Sequence, residues 1–147
     1  MNSREKGAVG ERELAGELNR VGMLARRTVQ YCGRSGDAAD VVAEGLDIHI
    51  EVKRCERVKL SDWIAQAARD ARDRDWVLFT RQNNRPWLVI QTLDQWARDS
   101  RDRDWVVFTR QNNRPWLVIQ TLDQWARDSR KANEAQAERK RRFDAAL

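Results

Sequence analysis

Residues 72–100 read RDRDWVLFTRQNNRPWLVIQTLDQWARDS, and residues 101–129 repeat them as RDRDWVVFTRQNNRPWLVIQTLDQWARDS, changing only Leu78 to Val107. Any fold must find room for both copies. A solenoid is a poor reading, because stacked repeats bury a continuous core only from about three units upward, and residues 1–71 contain no third copy. Each copy predicts the same local structure. Trp76-Val77-Leu78-Phe79-Thr80 is a run of strand formers. Gln82-Asn83-Asn84-Arg85-Pro86 is a turn, since Asn tolerates unusual backbone angles and Pro fixes its own φ. Trp87 to Gln91 is the return strand. Thr92 with Gln95 three residues later is a capping signal that opens a short helix. Two almost identical units compete for one place against a sheet. One is expected to complete the core; the other extends the sheet edge, pairs with a second chain or packs loosely.

The preceding residues have another texture. Ser3 can cap a helix running to Val21, with Gly22 as its stop and Leu14, Leu18 and Val21 as its buried stripe. Leu24 to Val29 predicts a strand, Gln30 to Ala39 a loop, and Asp40 to Glu44 and Asp47 to Lys53 two strands around Gly45-Leu46. Ser61 or Asp62 caps a helix carrying Trp63, Ile64, Ala67, Ala68 and Ala71. The expected order is α-β-β-β-α-β-β-α, then the extra β-β-α and a helical tail. Clustered strands with flanking helices imply an α/β or α+β fold around a mixed sheet. The expected units are a core over 1–100, the near-identical duplicate over 101–129 and a basic tail over 130–147.

At 147 residues the chain is long enough for one core. Its 28 Lys and Arg against 23 Asp and Glu leave a net charge of +5, which suits a polyanionic partner. No apolar run approaches the roughly eighteen residues of a membrane span, and the N-terminal residues do not read as a signal peptide. Cys32 and Cys55 stand in unlike surroundings and form neither a disulfide framework nor a zinc site. A cytoplasmic protein with reduced thiols is expected. The Trp residues read as core more readily than as base-stacking platforms. The tail carries Arg130, Lys131, Arg139, Lys140, Arg141 and Arg142. It reads as a solvated helix or as a contact to a DNA backbone.

The strands around Gly45 concentrate the chemistry. A two-residue hairpin loop at Gly45-Leu46 sets Val42 opposite His49 and Asp40 opposite Glu51, with glycine first as a type II′ turn requires. Side chains alternate along a strand, so Val41, Ala43, Ile48, Ile50 and Val52 form one apolar face. Asp40, His49, Glu51 and Lys53 share the other. Cross-strand partners lie about 5 Å apart, and two carboxylates that close repel each other. A divalent cation bound by both removes the repulsion. On the first helix, Glu11 lies in phase with Leu14 and Leu18 and faces the body of the domain. Such an acid needs a partner: a shared metal site, or a base such as Arg27. His49 reads as a packed or solvent-bound imidazole.

Lys6-Gly7-Ala8-Val9-Gly10-Glu11-Arg12-Glu13-Leu14, Asp40-Val41-Val42-Ala43 and Ile50-Glu51-Val52-Lys53, in this order and spacing, resemble the PD-(D/E)xK nuclease superfamily, and within it the archaeal-type Holliday junction resolvases and their phage relatives. The resemblance covers about residues 4–98. Ala39 stands where the family often has Pro. The resemblance implies a restriction-endonuclease-like mixed sheet flanked by helices, and metal-dependent hydrolysis of DNA phosphodiester bonds. Asp40, Glu51 and the Val52 carbonyl would hold Mg²⁺, with Mn²⁺ as a substitute. Glu11 would reach a second ion directly or through water. Lys53 would orient the attacking water and offset charge on the phosphoryl oxygens.

It further implies that the loop near Arg26, Arg27, Arg34 and Ser35 contacts a DNA strand, with Arg34 and Ser35 on phosphates. Gln66 would reach a phosphate or a water. The expected catalytic set is therefore Glu11, Asp40, Glu51 and Lys53, and the expected DNA contacts are Arg27, Arg34, Ser35 and Gln66. The implied substrate is a four-way junction, and the implied state is a homodimer whose two sites nick two strands. A nicking or restriction-type nuclease of the same superfamily is the alternative within enzymes. Outside enzymes the alternatives are an inactive DNA-binding module and, more weakly, a structural protein built on the repeat.

Overall fold

The computed structural model describes residues 3–28, 39–99 and 107–145. The expected loop with Cys32, Arg34 and Ser35 lies outside them. Helix α1 (Ser3–Arg20) buries Leu14 and Leu18 as the spacing requires. It ends in a Schellman turn: Gly22 takes φ +88, and the N–H of Met23 donates to the carbonyl of Leu18 at 2.9 Å. Then follow β1 (Ala25–Arg27), β2 (Val41–Ala43), β3 (Ile48–Arg54), α2 (Leu60–Ala71), β4 (Asp75–Arg81), β5 (Leu88–Thr92), α3 (Leu93–Asp99), β6 (Val107–Thr109), β7 (Leu117–Thr121) and α4 (Leu122–Ala145).

The strands form one mixed sheet in the order β1-β2-β3-β4-β5-β7-β6. Neighbours are antiparallel except β3 and β4, which run parallel with α2 as the crossover. Two cores lie against this sheet. The first joins Leu14 and Leu18 of α1, Val41, Ile50, Val52, Val77, Phe79, Trp87 and Val89 to Leu122, Trp125 and Ala126 of α4. The second packs Trp63, Ala67 and Ala71 of α2 on Trp76, Leu78, Ile90 and Leu117. Among the described residues no helix is long and apolar enough to cross a membrane.

Two local expectations are corrected. Helix α2 begins at Leu60 after Lys59, with no side-chain cap. Ser61 lies within the first turn, and its hydroxyl donates to Gln111 Oε1 at 2.9 Å, so a tertiary contact takes the group that the sequence offers as a cap. The β2–β3 turn also differs from the type II′ form. Leu46 N–H donates to the Ala43 carbonyl at 3.2 Å, which makes Gly45 the third residue of the turn, with φ +80. That is the position at which a type II turn needs glycine. The Thr92 cap is as expected: the N–H of Gln95 donates to the Thr92 hydroxyl at 3.3 Å. The second block repeats it, with Gln124 donating to Thr121 at 3.3 Å.

The helix completing the first core is not the one that directly follows its own hairpin. Trp125 of α4 meets Phe79 of β4 edge-to-face, with centroids 4.9 Å apart. Trp96 of α3 meets Phe108 of β6 in the same way at 5.4 Å. Strands from the first block and a helix from the second together close the core.

Candidate active site

The site is built on β3. Val41 pairs with Ile50, and one step further along this register Asp40 stands opposite Glu51, as the hairpin reading expects. Ile50 and Val52 point into the first core, so His49, Glu51 and Lys53 share the face covered by α2. Parallel pairing sets Leu78 beside Glu51 and Thr80 beside Lys53. Gly10 lets α1 approach, because a Cβ there would lie 2.6 Å from the Cβ of Arg54. The close approach brings Glu11 to the end of the sheet.

Asp40 accepts a hydrogen bond from Val52 N–H at 2.9 Å. Burial raises its carboxyl to about 7, the charges of Glu51 and Glu11 add to the rise, and the Val52 bond and Lys53 oppose it. Glu51 is 2 % exposed. Its Oε1 lies 2.6 Å from Lys53 Nζ, and its Oε2 lies 3.2 Å from His49 Nε2. Burial pushes the Glu51 carboxyl up, but the hydrogen bonds from His49 and Lys53 outweigh it and leave the carboxyl below its usual range. Lys53 Nζ also donates to Gln66 Oε1 on α2 at 2.9 Å. The two carboxylates are thus held in different states, Asp40 tending to keep its proton and Glu51 ionised.

Glu11 pairs with Arg27. Of the two partners its position allows, the base is the one it touches, although its charge still reaches Asp40. Asp40, Glu51, Lys53 and Gln66 come together; Glu11 and Arg27 form a pair at their edge. Among the described residues no group of three or more His, Cys, Asp or Glu is arranged to hold a metal. The donor set present, a half-buried Asp whose ionisation a neighbouring Glu opposes, is nevertheless one whose repulsion a hard cation relieves.

Sequence reasoning left His49 aside as a packed or solvent-bound imidazole. It is fully buried and bonds the Glu51 carboxylate, while its Nδ1 has no hydrogen-bond partner. The i, i+2 spacing of His49 and Glu51 on one strand face was the available signal. Arg54 went unnoticed too. It holds Glu13 at 2.9 Å and Asn83 at 2.7 Å, and with Lys6 and Arg57 it lines an open groove between α1 and the end of β3.

The family described as "Phage putative PDDEXK endonuclease" matches residues 2–136. This chain belongs to that family. Among solved structures, it is similar to the Holliday junction resolvase Hjc of Archaeoglobus fulgidus. The two share 19 % identity over 82 % of this chain and 95 % of that one, with a TM-score of 0.52. At that identity the likeness is one of fold. None of the curated proteins matches the chain.

Proposed function

We propose that this chain is a metal-dependent endodeoxyribonuclease that acts as a homodimer in the cytoplasm and resolves four-way DNA junctions. One observation carries the reading. A half-buried Asp at the start of β2 and a buried Glu on β3 stand opposite each other, with the Lys of the same motif 2.6 Å from the Glu, in a chain of the PD-(D/E)xK endonuclease family. The junction substrate is supported by the fold shared with the archaeal resolvase.

Asp40, Glu51 and the Val52 carbonyl would hold Mg²⁺ or Mn²⁺, with Glu11 as a further acid at the edge of the site. When bound, the ion acidifies a coordinated water and polarises the phosphate. The side chains do the rest. His49 fixes one Glu51 oxygen, so the carboxylate keeps its orientation and its charge. Gln66 holds Lys53 beside the acids, where its ammonium orients a water and offsets charge building on the phosphoryl oxygens. Arg27 neutralises Glu11 and lies within reach of a passing strand. Arg34, Ser35 and the basic end of α4 supply backbone contacts that hold DNA without reading its sequence.

The test uses a labelled four-way junction and a linear duplex of the same sequence, each with Mg²⁺ and with EDTA. The expected result is paired nicks in the junction only, and only with Mg²⁺. Equal cutting of the linear duplex would move the target to another DNA. Binding without cutting in Mg²⁺ would reduce the protein to a DNA-binding module.

A further inference from the structure

The contacts between the two copies of the repeat have a symmetry that neither copy has alone. Strand β5 pairs with β7 antiparallel, and Ile90 stands opposite Ile119, its own duplicate. Leu88 pairs with Thr121 and Thr92 with Leu117; exchanging each residue for its counterpart 29 positions away turns one pair into the other. The same exchange relates the bond from Leu93 N–H to the Trp116 carbonyl (3.0 Å) to that from Leu122 N–H to the Trp87 carbonyl (3.3 Å). It also relates the Phe79–Trp125 pair to the Trp96–Phe108 pair. The two blocks meet about a pseudo-two-fold axis passing between Ile90 and Ile119, and each lends its helix to the hairpin of the other.

An interface of this kind is self-complementary, so it does not distinguish a block on the same chain from a block on a second chain. Only residues 100–106 join α3 to β6. We propose that two copies of this chain exchange their second blocks, so that residues 107–145 of each pack on residues 72–99 of the other. Every strand pairing, ring contact and hydrogen bond just described is kept, but it now runs between chains. Each nuclease core is then closed by Leu122, Trp125 and Ala126 of the partner copy. The product is a closed dimer with two complete sites. This rests on the homodimer in the functional reading above and supplies its physical basis; it does not depend on the chemistry of the site.

The experiment uses the full chain with Cys32→Ser and Cys55→Ser. One preparation adds Ile90→Cys and another adds Ile119→Cys; the two are refolded together and oxidised or bridged with a short bis-thiol reagent. Opposed residues on antiparallel strands have Cβ atoms about 5 Å apart, within reach of such a bridge. Exchange predicts a covalent species of twice 17.2 kDa in the mixture, trapping up to about half of the chains on random pairing, and none in either preparation alone. A chain carrying both cysteines controls for register. If it links internally while the mixture yields no covalent dimer, the blocks pair within one chain and the proposal is overturned; if it links in neither way, the register itself fails. The native mass of the unaltered chain separates the two readings. A dimer without the mixed cross-link keeps the homodimer and removes the exchange. A monomer removes both and leaves the nuclease assay to stand alone.

Discussion

The two copies of the repeat make the same strands, turn and capped helix, yet they live in different surroundings. Leu78, Phe79 and Trp87 are 0 %, 0 % and 5 % exposed, while their counterparts Val107, Phe108 and Trp116 are 47 %, 45 % and 44 % exposed. The cause is not in the repeat. Strand β4 lies between β3 and β5 with α2 packed on it; β6 has β7 on one side and, among the described residues, no strand on the other. Local sequence decides what a segment forms, and the rest of the chain decides what that segment buries. Function follows the same division. The first copy sets Leu78 and Thr80 beside Glu51 and Lys53, so it is the platform of the site, whereas the second contributes the helix that closes the core behind it.

This contrast can be broken by mutating counterparts. Phe79→Ala removes a ring buried against Trp125 and is expected to cost about 3–5 kcal/mol, while Phe108→Ala should cost about 1 kcal/mol or less. Urea melts of the two variants decide it, and equal losses would mean that the copies share one environment. Trp125→Ala and Trp96→Ala test the exchanged helices. The fully packed Trp125 should again cost about 3–5 kcal/mol, and the half-buried Trp96 clearly less. If each helix covered its own hairpin, Trp96 would be the more costly of the two.

A third test sharpens the contrast through charge, because Glu51, whose charge acts on Asp40, stands on the strand that pairs with the first copy. The folded chain holds the Asp40 proton up to about pH 7, whereas an unfolded chain releases it near 3.8. The contribution of Asp40 to stability is therefore fully present below about 4 and is lost as pH rises to about 7, with a total on the order of a few kcal/mol. Glu51, held below its usual range, works in the opposite sense and loses its contribution on acidification. Asp40→Asn should flatten the fall in melting temperature between pH 5 and pH 8 in metal-free buffer. An unchanged slope would show that Asp40 is not the group responsible.

Much of this was legible in the sequence. Gly45 between two alternating runs set the register that puts Asp40 opposite Glu51, since a one-residue slip would have turned Val41 and Ile50 out of the core. The order of elements could be read from the same local patterns. What could not be read depended on distant partners. Ser61 looks like a cap until Gln111 arrives from fifty residues away. Glu11 could face a metal or a base, and only the placement of β1 brings Arg27 to it. Nothing in two near-identical blocks says which helix covers which hairpin, because both pairings place the same ring residues in contact. His49 reads as a packed or solvent-bound imidazole, and it is packed; its bond to Glu51 depends on side-chain orientation that a residue pattern does not carry.

The account turns on Glu51, the acid that His49 and Lys53 hold ionised at the centre of the site. The deciding measurement is cleavage of a labelled four-way junction in Mg²⁺ by the parent chain and by Glu51→Gln, with junction binding followed in parallel. Cleavage should be lost in the variant while its affinity stays within about threefold of the parent, because phosphate contacts elsewhere carry the binding. A variant that binds and cuts as the parent does would contradict the assignment.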